Sequence, residues 1–374
     1  MKILVSCVPF DKGRSGISVY IDCVVKALAA QGHDLVLVVE PEAAGHFHNY
    51  PMIVLPSFTK KPVLSMLYHL LILPFRIRKS EFDYCILTAA NRRELIFYPV
   101  ETAAVIHDLA PCKVKKKYDV FRMFYQQKLL PIFLRGVSHL FAISACTKED
   151  MTRFWGIPPE RITVNYNGLV LHEAGADGAE FEKKFGLKNK KYILYVSRLE
   201  YPGKNQLGLI QAFCRLPEEL RNEYHLVLAG AFWSGESILR EAAAAPEAGG
   251  NIIFTGFISN AELEYAYRNA AMYIFPSFYE GFGLSLLEAM HSGLPCACSN
   301  TSSLEEIGRG AALLFDPADP DAIADAMRRI LTEEPLREEL TAAGKQRASE
   351  FTWERHARQL CAPAEALRDT ASRA

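Results

Sequence analysis

The stretch that decides the fold is Ser277-Phe-Tyr-Glu-Gly-Phe-Gly-Leu-Ser-Leu-Leu-Glu-Ala-Met-His-Ser-Gly293. It follows Ala271–Phe275, a short apolar run that predicts a buried strand. Pro276 predicts the end of that strand, because proline cannot donate a ladder hydrogen bond. From Leu284 onward the apolar side chains recur with helical spacing, and Gly293 predicts the end of the helix. The chain is therefore expected to pass here from a strand through a tight turn into a helix.

Two glutamates frame this turn: Glu280 lies in the loop, and Glu288 lies about one turn into the helix. Gly281 and Gly283 let the backbone turn tightly and approach a ligand closely. Ligands of open α/β sheets bind at the carboxyl ends of the strands, and the first N–H groups of a helix favour an anion such as a diphosphate. Carboxylates can accept hydrogen bonds from sugar hydroxyls. A solvated helix face would explain either glutamate alone, but two glutamates around Gly-Phe-Gly favour a ligand site.

Glu280 and Glu288, with seven residues between them and Gly-Phe-Gly inside, resemble the E-x7-E motif of family-4 retaining glycosyltransferases of the GT-B fold. The resemblance extends over most of the chain. It implies an α/β protein of two Rossmann-like domains that face each other across a cleft, with a C-terminal helix that crosses back to the first domain. The expected domains are 1–170 with about 355–374, which is the acceptor side, and 185–354, which binds the nucleotide-sugar.

Length and composition agree with this organisation. A chain of 374 residues is too long for one compact core, and strand patterns alternate with helical patterns, as in parallel sheets covered by helices. The nine cysteines show no Cys-x-x-Cys spacing, which favours a reduced, cytoplasmic protein. The first residues, Met1–Val8, are read as a strand and not as a signal peptide, because the apolar run is short. No apolar run reaches the length of about 18 residues that a membrane span needs.

Charge is distributed unevenly along the chain. Residues 1–170 carry 21 Lys and Arg against 14 Asp and Glu, whereas the remainder carries 21 against 29. The stretch Lys60–Lys79 is an apolar run with basic flanks, which suits either a membrane surface or a buried core helix. Lys113, Lys115, Lys116 and Lys117 form a second basic cluster. The basic half is thus expected to contact either the inner, anionic face of a membrane or a phosphate-bearing acceptor. The alternative is that the charges are distributed by chance.

The first glycine-rich loop, Gly13–Val19, follows the first strand. It resembles the loop that faces the donor diphosphate in this family, and Gly16 is the residue assigned to that contact. It lacks the Gly-x-Gly-x-x-Gly spacing of dinucleotide binders, which counts against a nicotinamide oxidoreductase.

Three further side chains follow predicted strands. His107, in Ile-His-Asp-Leu-Ala-Pro, resembles the histidine of polysaccharide mannosyltransferases of this family, where it hydrogen-bonds the donor sugar. Arg198 and Lys204 stand on either side of a Pro-Gly turn after the strand Tyr192–Val196. They can converge on one diphosphate, with a planar fork from arginine and a point charge from lysine, and they match the family's diphosphate clamp.

The resemblance assigns roles to these residues. His107 and Glu280 are the expected catalytic residues, and Glu288 is expected to hold the ribose. The expected contacts to the donor sugar are Glu280, Gly281 and Phe282, and those to the diphosphate are Arg198, Lys204, Gly16, Gly283 and Leu284.

Asp319-Pro-Asp321 matches the Asp-x-Asp metal site of the other large glycosyltransferase fold. A helical apolar stripe begins directly after it, so we interpret Asp319 as a helix N-cap and expect no metal and no cofactor.

The predicted function is retaining transfer of a hexose, mannose being favoured, from GDP-mannose or another nucleotide-diphosphate hexose. The expected acceptor is a glycan or a lipid-linked glycan in polysaccharide biosynthesis, and no nucleic acid partner is expected. A nucleotide-sugar 2-epimerase and a non-catalytic nucleotide-sugar-binding subunit remain as alternatives.

Overall fold

The computed structural model describes residues 1–13, 15–113, 123–171 and 178–373. The chain divides into two compact units: unit 1 comprises 1–168 and 351–374, and unit 2 comprises 169–350. Of the residues singled out above, Lys115, Lys116 and Lys117 lie outside the described residues.

Unit 1 is built on a parallel sheet of seven strands. They are β1 (Lys2–Ser6), β2 (Asp34–Val39), β3 (Met52–Val54), β4 (Tyr84–Leu87), β5 (Thr102–Ile106), β6 (His139–Ala142) and β7 (Ile162–Val164). Their order across the sheet is β3-β2-β1-β4-β5-β6-β7. Every residue of β4 and β5 is buried, as expected for a parallel sheet that is covered on both faces. The strand order reverses between β1 and β4, so a binding crevice is expected where these strands end.

The helices of unit 1 connect and cover these strands. They are α1 (Gly16–Ala30), α2 (Pro62–Leu71), α3 (Leu73–Arg76), α4 (Ala110–Lys113), α5 (Leu130–Leu134) and α6 (Ala145–Trp155). Tyr125–Leu129 forms a π-helical turn before α5. The stretch Lys60–Lys79 therefore contains two helices, and no helix among the described residues is long and apolar enough to cross a membrane.

Unit 2 has a parallel sheet of six strands and a small pair beside it. The strands are β8 (Lys191–Val196), β9 (Leu199–Glu200), β10 (Tyr224–Ala229), β11 (Phe232–Ser234), β12 (Ile252–Gly256), β13 (Met272–Phe275), β14 (Cys296–Ser299) and β15 (Leu313–Phe315). The sheet order is β12-β10-β8-β13-β14-β15, and β9 pairs with β11. After β8, the strands β10 and β12 are added on one side of it, whereas β13, β14 and β15 lie on the other side. The strand order therefore reverses between β8 and β13. Both units are thus Rossmann-like.

The helices of unit 2 alternate with its strands. They are α7 (Gly178–Phe185), α8 (Gln206–Cys214), α9 (Glu218–Glu223), α10 (Glu236–Ala243), α11 (Asn260–Asn269), α12 (Leu284–His291), α13 (Ser302–Gly308), α14 (Pro320–Thr332) and α15 (Glu334–Ser349). Asp319 precedes the first residue of α14, and its carboxylate accepts a hydrogen bond of 2.9 Å from the backbone N–H of Asp321. The interpretation of Asp319 as an N-cap is therefore confirmed.

The last helix, α16 (Trp353–Arg373), belongs to unit 1 although unit 2 precedes it in the chain. It packs against α1 and forms hydrogen bonds with other residues of unit 1. Tyr84 Oη donates to the carbonyl of Leu360, and Gln359 Nε2 donates to the carbonyl of Val164. The predicted return of the C-terminal helix to the first domain is confirmed.

Candidate active site

The loop from β13 to α12 is held in one conformation by its neighbours. Gly283 has φ +115°, and a Cβ on it would lie 2.9 Å from Leu304 Cδ2, so both backbone and packing require glycine here. The Glu280 N–H donates to Ser302 Oγ (3.1 Å), and Ser303 Oγ donates to the Glu280 carbonyl (2.9 Å). Glu280 therefore projects from a fixed backbone directly after the carboxyl end of β13.

Glu280 forms an ion pair with Lys204. The Lys204 ammonium lies 2.6 Å and 2.7 Å from the two carboxylate oxygens of Glu280. The two side chains are mostly buried, with 20% and 12% of their surfaces exposed. The loops that carry them are also joined through the backbone, since the Phe278 N–H donates to the Gly203 carbonyl (3.1 Å). The pair thus spans the loops that follow β8 and β13, the two strands between which the sheet order reverses.

Arg198, at the end of β8, has different partners. Its guanidinium forms an ion pair with Glu200 and lies 4.8 Å from the ring centroid of Trp233, which is 70% exposed. A planar guanidinium stacks well on an aromatic face, so Trp233 and Glu200 hold Arg198 in place. The structure thus brings Lys204 to Glu280 and Arg198 to Trp233.

Glu288 lies on α12, where Tyr267 Oη donates a hydrogen bond of 2.9 Å to its carboxylate. Tyr267 is fully buried, so this bond fixes the carboxylate. Glu288 faces a cavity of about 170 Å³ that Arg268 and His291 also line. A larger cavity of about 580 Å³ lies beside Ala271 and Pro295, where β13 and β14 begin, which is the edge opposite to the one where α/β sheets bind ligands.

In unit 1, His107 follows β5 and is buried. Its Nε2 lies 2.7 Å from the carbonyl of Thr88. Because a carbonyl only accepts, Nε2 carries the proton, and Nδ1 keeps a lone pair that can accept a hydrogen bond. Burial lowers the pKa of His107 to about 4, so the ring is neutral near pH 7.

Two residues that the sequence did not single out hold His107 in place. The Tyr20 ring packs edge-on against the His107 ring with centroids 4.5 Å apart. Tyr20 Oη lies 2.7 Å from His356 Nε2, and His356 Nδ1 lies 2.8 Å from the Tyr166 carbonyl. The carbonyl fixes the proton on Nδ1 of His356, so Tyr20 donates to Nε2. Tyr20 lies on the buried face of α1 and His356 on α16, and in the sequence both look like core residues.

The remaining predicted site residues lie near helix starts. Gly16 is the first residue of α1, where Ser15 Oγ caps the helix by accepting from the Ser18 N–H (3.4 Å). A Cβ on Gly16 would meet no atom within 4 Å, so packing in this structure does not require glycine there. Phe282 is buried, and Leu284 is the first residue of α12.

Three buried histidines of unit 1 predict the pH dependence of its stability. Burial lowers the pKa values of His69, His107 and His356 to about 4, below the ordinary 6.5. The unfolded chain therefore binds more protons than the folded chain between about pH 4 and 6.5. Glu94 acts in the opposite sense, because burial raises its pKa to about 8 and its folded form keeps a proton above pH 4.5.

Since three groups outweigh one, the free energy of unfolding is expected to fall as the pH drops from 6.5 toward 4. The slope is about 1.4 kcal/mol per pH unit for each excess proton of the unfolded state. Urea unfolding at several pH values, followed by the fluorescence of Trp155 and Trp353 in unit 1, measures it. His69→Gln should make the slope shallower by one proton, and a stability that is constant or rises toward pH 4 would contradict the assignment.

Comparison with known families accounts for most of the chain. Residues 14–173 match the family described as "Glycosyltransferase Family 4", and residues 177–347 match "Glycosyl transferases group 1". This chain belongs to the family-4 glycosyltransferases. The family predicted from the Glu280–Glu288 spacing is therefore confirmed.

Two relatives of this glycosyltransferase come from Escherichia coli. The chain is 32% identical over 251 residues to O-antigen chain mannosyltransferase B, an alignment covering 66% of each protein. It is 33% identical over 265 residues to the serotype-specific mannosyltransferase WbdA, covering 68% of this chain and 32% of WbdA. The match thus spans just under two thirds of the first relative and about a third of the second.

Solved structures resemble this glycosyltransferase along nearly its whole length. Anabaena HepE in complex with UDP and glucose superimposes with a TM-score of 0.74 at 16% identity, covering 98% of this chain and all of HepE. Sucrose-phosphate synthase from Thermosynechococcus elongatus gives 0.76 at 19% identity, covering 99% and 100%. At these identities the likeness shows the fold, and the predicted GT-B class is confirmed.

Proposed function

We propose that this glycosyltransferase moves mannose from GDP-mannose to a glycan or lipid-linked glycan, with retention of configuration and without a metal ion. The observation that carries the proposal is the Lys204–Glu280 pair at the point where the sheet order of unit 2 reverses. A cation and a carboxylate at the start of a helix suit a ligand that joins a diphosphate to a polyhydroxyl ring.

The diphosphate is proposed to bind where positive charge is available in unit 2. Lys204 and Arg198 would stabilise the negative charge that develops on the leaving phosphate. The backbone N–H groups of Gly283 and Leu284, at the start of α12, are proposed to donate hydrogen bonds to the same diphosphate. Glu288, fixed by Tyr267, would accept hydrogen bonds from the ribose hydroxyls.

Retention follows if the acceptor approaches the face of the sugar that the diphosphate leaves. The bond between the anomeric carbon and the phosphate oxygen breaks, the bond to the acceptor oxygen forms, and the acceptor proton passes to the leaving phosphate. The protein then has to stabilise an oxocarbenium-like sugar and the phosphate charge. Glu280 is proposed to bind sugar hydroxyls close to the positive charge that develops on the sugar. Gly281 and Phe282 are also proposed to contact the sugar. His107, neutral with a free Nδ1 lone pair, is proposed to accept from another hydroxyl.

Three finer points belong to the proposal. Mannose is supported by the names of the two Escherichia coli relatives and by the His107-Asp-Leu sequence. A UDP-hexose is the competing donor, because the similar HepE structure holds UDP and glucose. Action in the cytoplasm, at the inner face of the membrane, is supported by the basic composition of residues 1–170 and by the proposed lipid-linked acceptor.

Donor binding and transfer test the proposal together. GDP-mannose at 100 times its Kd is expected to add about 2.7 kcal/mol to the free energy of unfolding. UDP-glucose and UDP-galactose at the same concentration are expected to add much less. Radiolabelled mannose should then reach a lipid-linked glycan, and the rate should survive EDTA, because no group of three or more His, Cys, Asp or Glu side chains among the described residues is arranged to hold a metal ion.

Each other outcome points to another function. Stabilisation by a nucleotide-sugar without transfer to any acceptor would indicate a binding subunit. Conversion of the donor sugar without an acceptor would indicate an epimerase. Activity that EDTA abolishes and manganese restores would overturn the metal-independent mechanism.

A further inference from the structure

Helix α2 buries two polar side chains while it exposes several apolar ones. Its buried residues are Tyr68 and Leu70, which belong to the hydrophobic core, and Ser65 and His69, neither of which is exposed at all. Ser65 Oγ donates to Glu40 (2.8 Å), and His69 lies between Ser6 Oγ (2.7 Å) and the Glu94 carbonyl (3.1 Å). Hydrogen bonds of two polar side chains therefore fasten the helix to the rest of unit 1, in addition to the core packing of Tyr68 and Leu70.

The outward side of α2 is apolar. Val63, Leu67 and Leu71 follow one another at four-residue spacing and are all exposed, Val63 at 63%. Helix α3 continues this surface with Phe75, which is 73% exposed. We call the following eight exposed residues the apolar face: Val63, Leu64, Leu67, Leu71, Ile72, Phe75, Ile96 and Phe97.

The apolar face is continuous. The rings of Phe75 and Phe97 meet edge-on with centroids 4.9 Å apart. The Ile96 N–H donates to the carbonyl of Leu70 on α2 (3.1 Å), which ties the 96–97 segment to the helix. A soluble protein rarely exposes so many large apolar side chains together unless they contact something.

Basic residues stand at both ends of the apolar face. Residues 54–79 contain Lys60, Lys61, Arg76, Arg78 and Lys79 and no acidic residue. Lys60 pairs with Glu42 and Arg78 with Glu81, whereas Lys61, Arg76 and Lys79 pair with no carboxylate in the part of the chain that the structure describes. The partner must therefore be apolar at its centre and negatively charged around it.

We propose that the apolar face docks on an anionic lipid leaflet, with its side chains in the boundary between headgroups and acyl chains. A leaflet offers this combination, and surface-lying helices of this kind enter it by about 5–10 Å. Helix α2 has ten residues and a length of about 15 Å, so it lies on a membrane and does not cross it. The inference rests on the proposed function only in that a lipid-linked acceptor would give the docking its purpose.

Co-sedimentation with vesicles tests the docking. The full chain is mixed with vesicles of phosphatidylcholine, with or without 30 mol% phosphatidylglycerol (about one lipid in three), at low and at high salt. High salt screens the electrostatic attraction, so the two conditions distinguish it from the burial of apolar side chains. Wild type is expected to bind the anionic vesicles at low salt. Leu67→Glu with Leu71→Glu should weaken binding at least tenfold. Lys61→Gln with Lys79→Gln should weaken it about twenty-fivefold at low salt, at about fivefold for each charge removed.

A matched control separates a local effect from a general one. Ile238 on α10 is exposed to a similar degree as Leu67 but belongs to unit 2, so Ile238→Glu should bind like wild type. Phe75→Trp provides a direct readout, because its fluorescence should shift to shorter wavelength on anionic vesicles.

Equal binding by wild type and the Leu67/Leu71 variant, or no binding to anionic vesicles at low salt, would overturn the proposal. Self-association of wild type that the same variant abolishes, without vesicle binding, would assign the face to a second copy of the chain. Sugar transfer to a water-soluble acceptor should be unchanged in the Leu67/Leu71 variant. If neither wild type nor any variant transfers sugar, while wild type still binds vesicles, the proposed function is contradicted but the docking proposal is not.

Discussion

Replacing Glu280 with glutamine is expected to slow sugar transfer by about 10²–10³, the scale for losing one preorganised electrostatic contact. Glutamine keeps the size of the side chain but removes the charge that pairs with Lys204 at 2.6 Å. The loop itself should survive, because Ser302 and Ser303 hold the backbone of residue 280 and not its carboxylate. Initial rates over a range of donor concentrations measure the effect.

Lys204→Ala is expected to lower the rate on the same scale and also to weaken donor binding, because the ammonium is proposed to meet the diphosphate. If the two residues act as a unit, the double variant will lose little more than either single one. Lys184, whose ammonium lies 2.6 Å from Glu262 elsewhere in unit 2, provides the control. Loss of activity in Lys184→Ala equal to that in Lys204→Ala would show that the effect is one of stability.

His107→Ala is the second large effect, with transfer expected to slow by about 10² because one positioned hydrogen bond to the reacting sugar is lost. The neutral ring is the active form, since burial lowers the pKa of His107 to about 4. The pH–rate profile of the wild type should therefore show no inflection from His107 near pH 6.5, and the rate ratio of wild type to variant should stay constant from pH 6 to 8.

Tyr20→Phe separates the position of His107 from its chemistry. It keeps the ring that packs against His107 but removes the hydroxyl that donates to His356. A small loss of rate with an unchanged Kd for the donor is expected. An equal loss in His107→Ala and in Tyr20→Phe, with both folded by urea unfolding, would indicate that the cluster supports the fold of unit 1 and that His107 does not contact the sugar.

Much of the fold was predictable because its central strands are fully buried apolar runs. The strands predicted at Ala271–Phe275 and Tyr192–Val196 are observed at Met272–Phe275 and Lys191–Val196, so each prediction differs by one residue at one end. Met52–Val54 and Ile162–Val164 were missed, because strands of three partly exposed residues at a sheet edge have no clear apolar pattern.

The candidate site was predictable only where it is local. The Glu280–Glu288 spacing is contained in one turn and one helix, so the sequence displays it directly. The Lys204–Glu280 pair joins residues 76 positions apart, and the Tyr20–His356 bond joins residues 336 apart. Such pairs arise from the sheet topology, which single-sequence patterns do not encode. The roles of all these residues in catalysis remain predictions.

The placement of α16 in unit 1 has a consequence for biosynthesis. Residues 351–374 leave the ribosome after all of unit 2, so unit 2 has its complete set of residues while unit 1 still lacks its last helix. Domains generally fold as units during synthesis. His356, which anchors Tyr20 beside His107, arrives with that last segment. The nascent protein therefore acquires the support for its proposed catalytic histidine only after the whole of unit 2 has been synthesised, and a chain released before residue 353 would lack it.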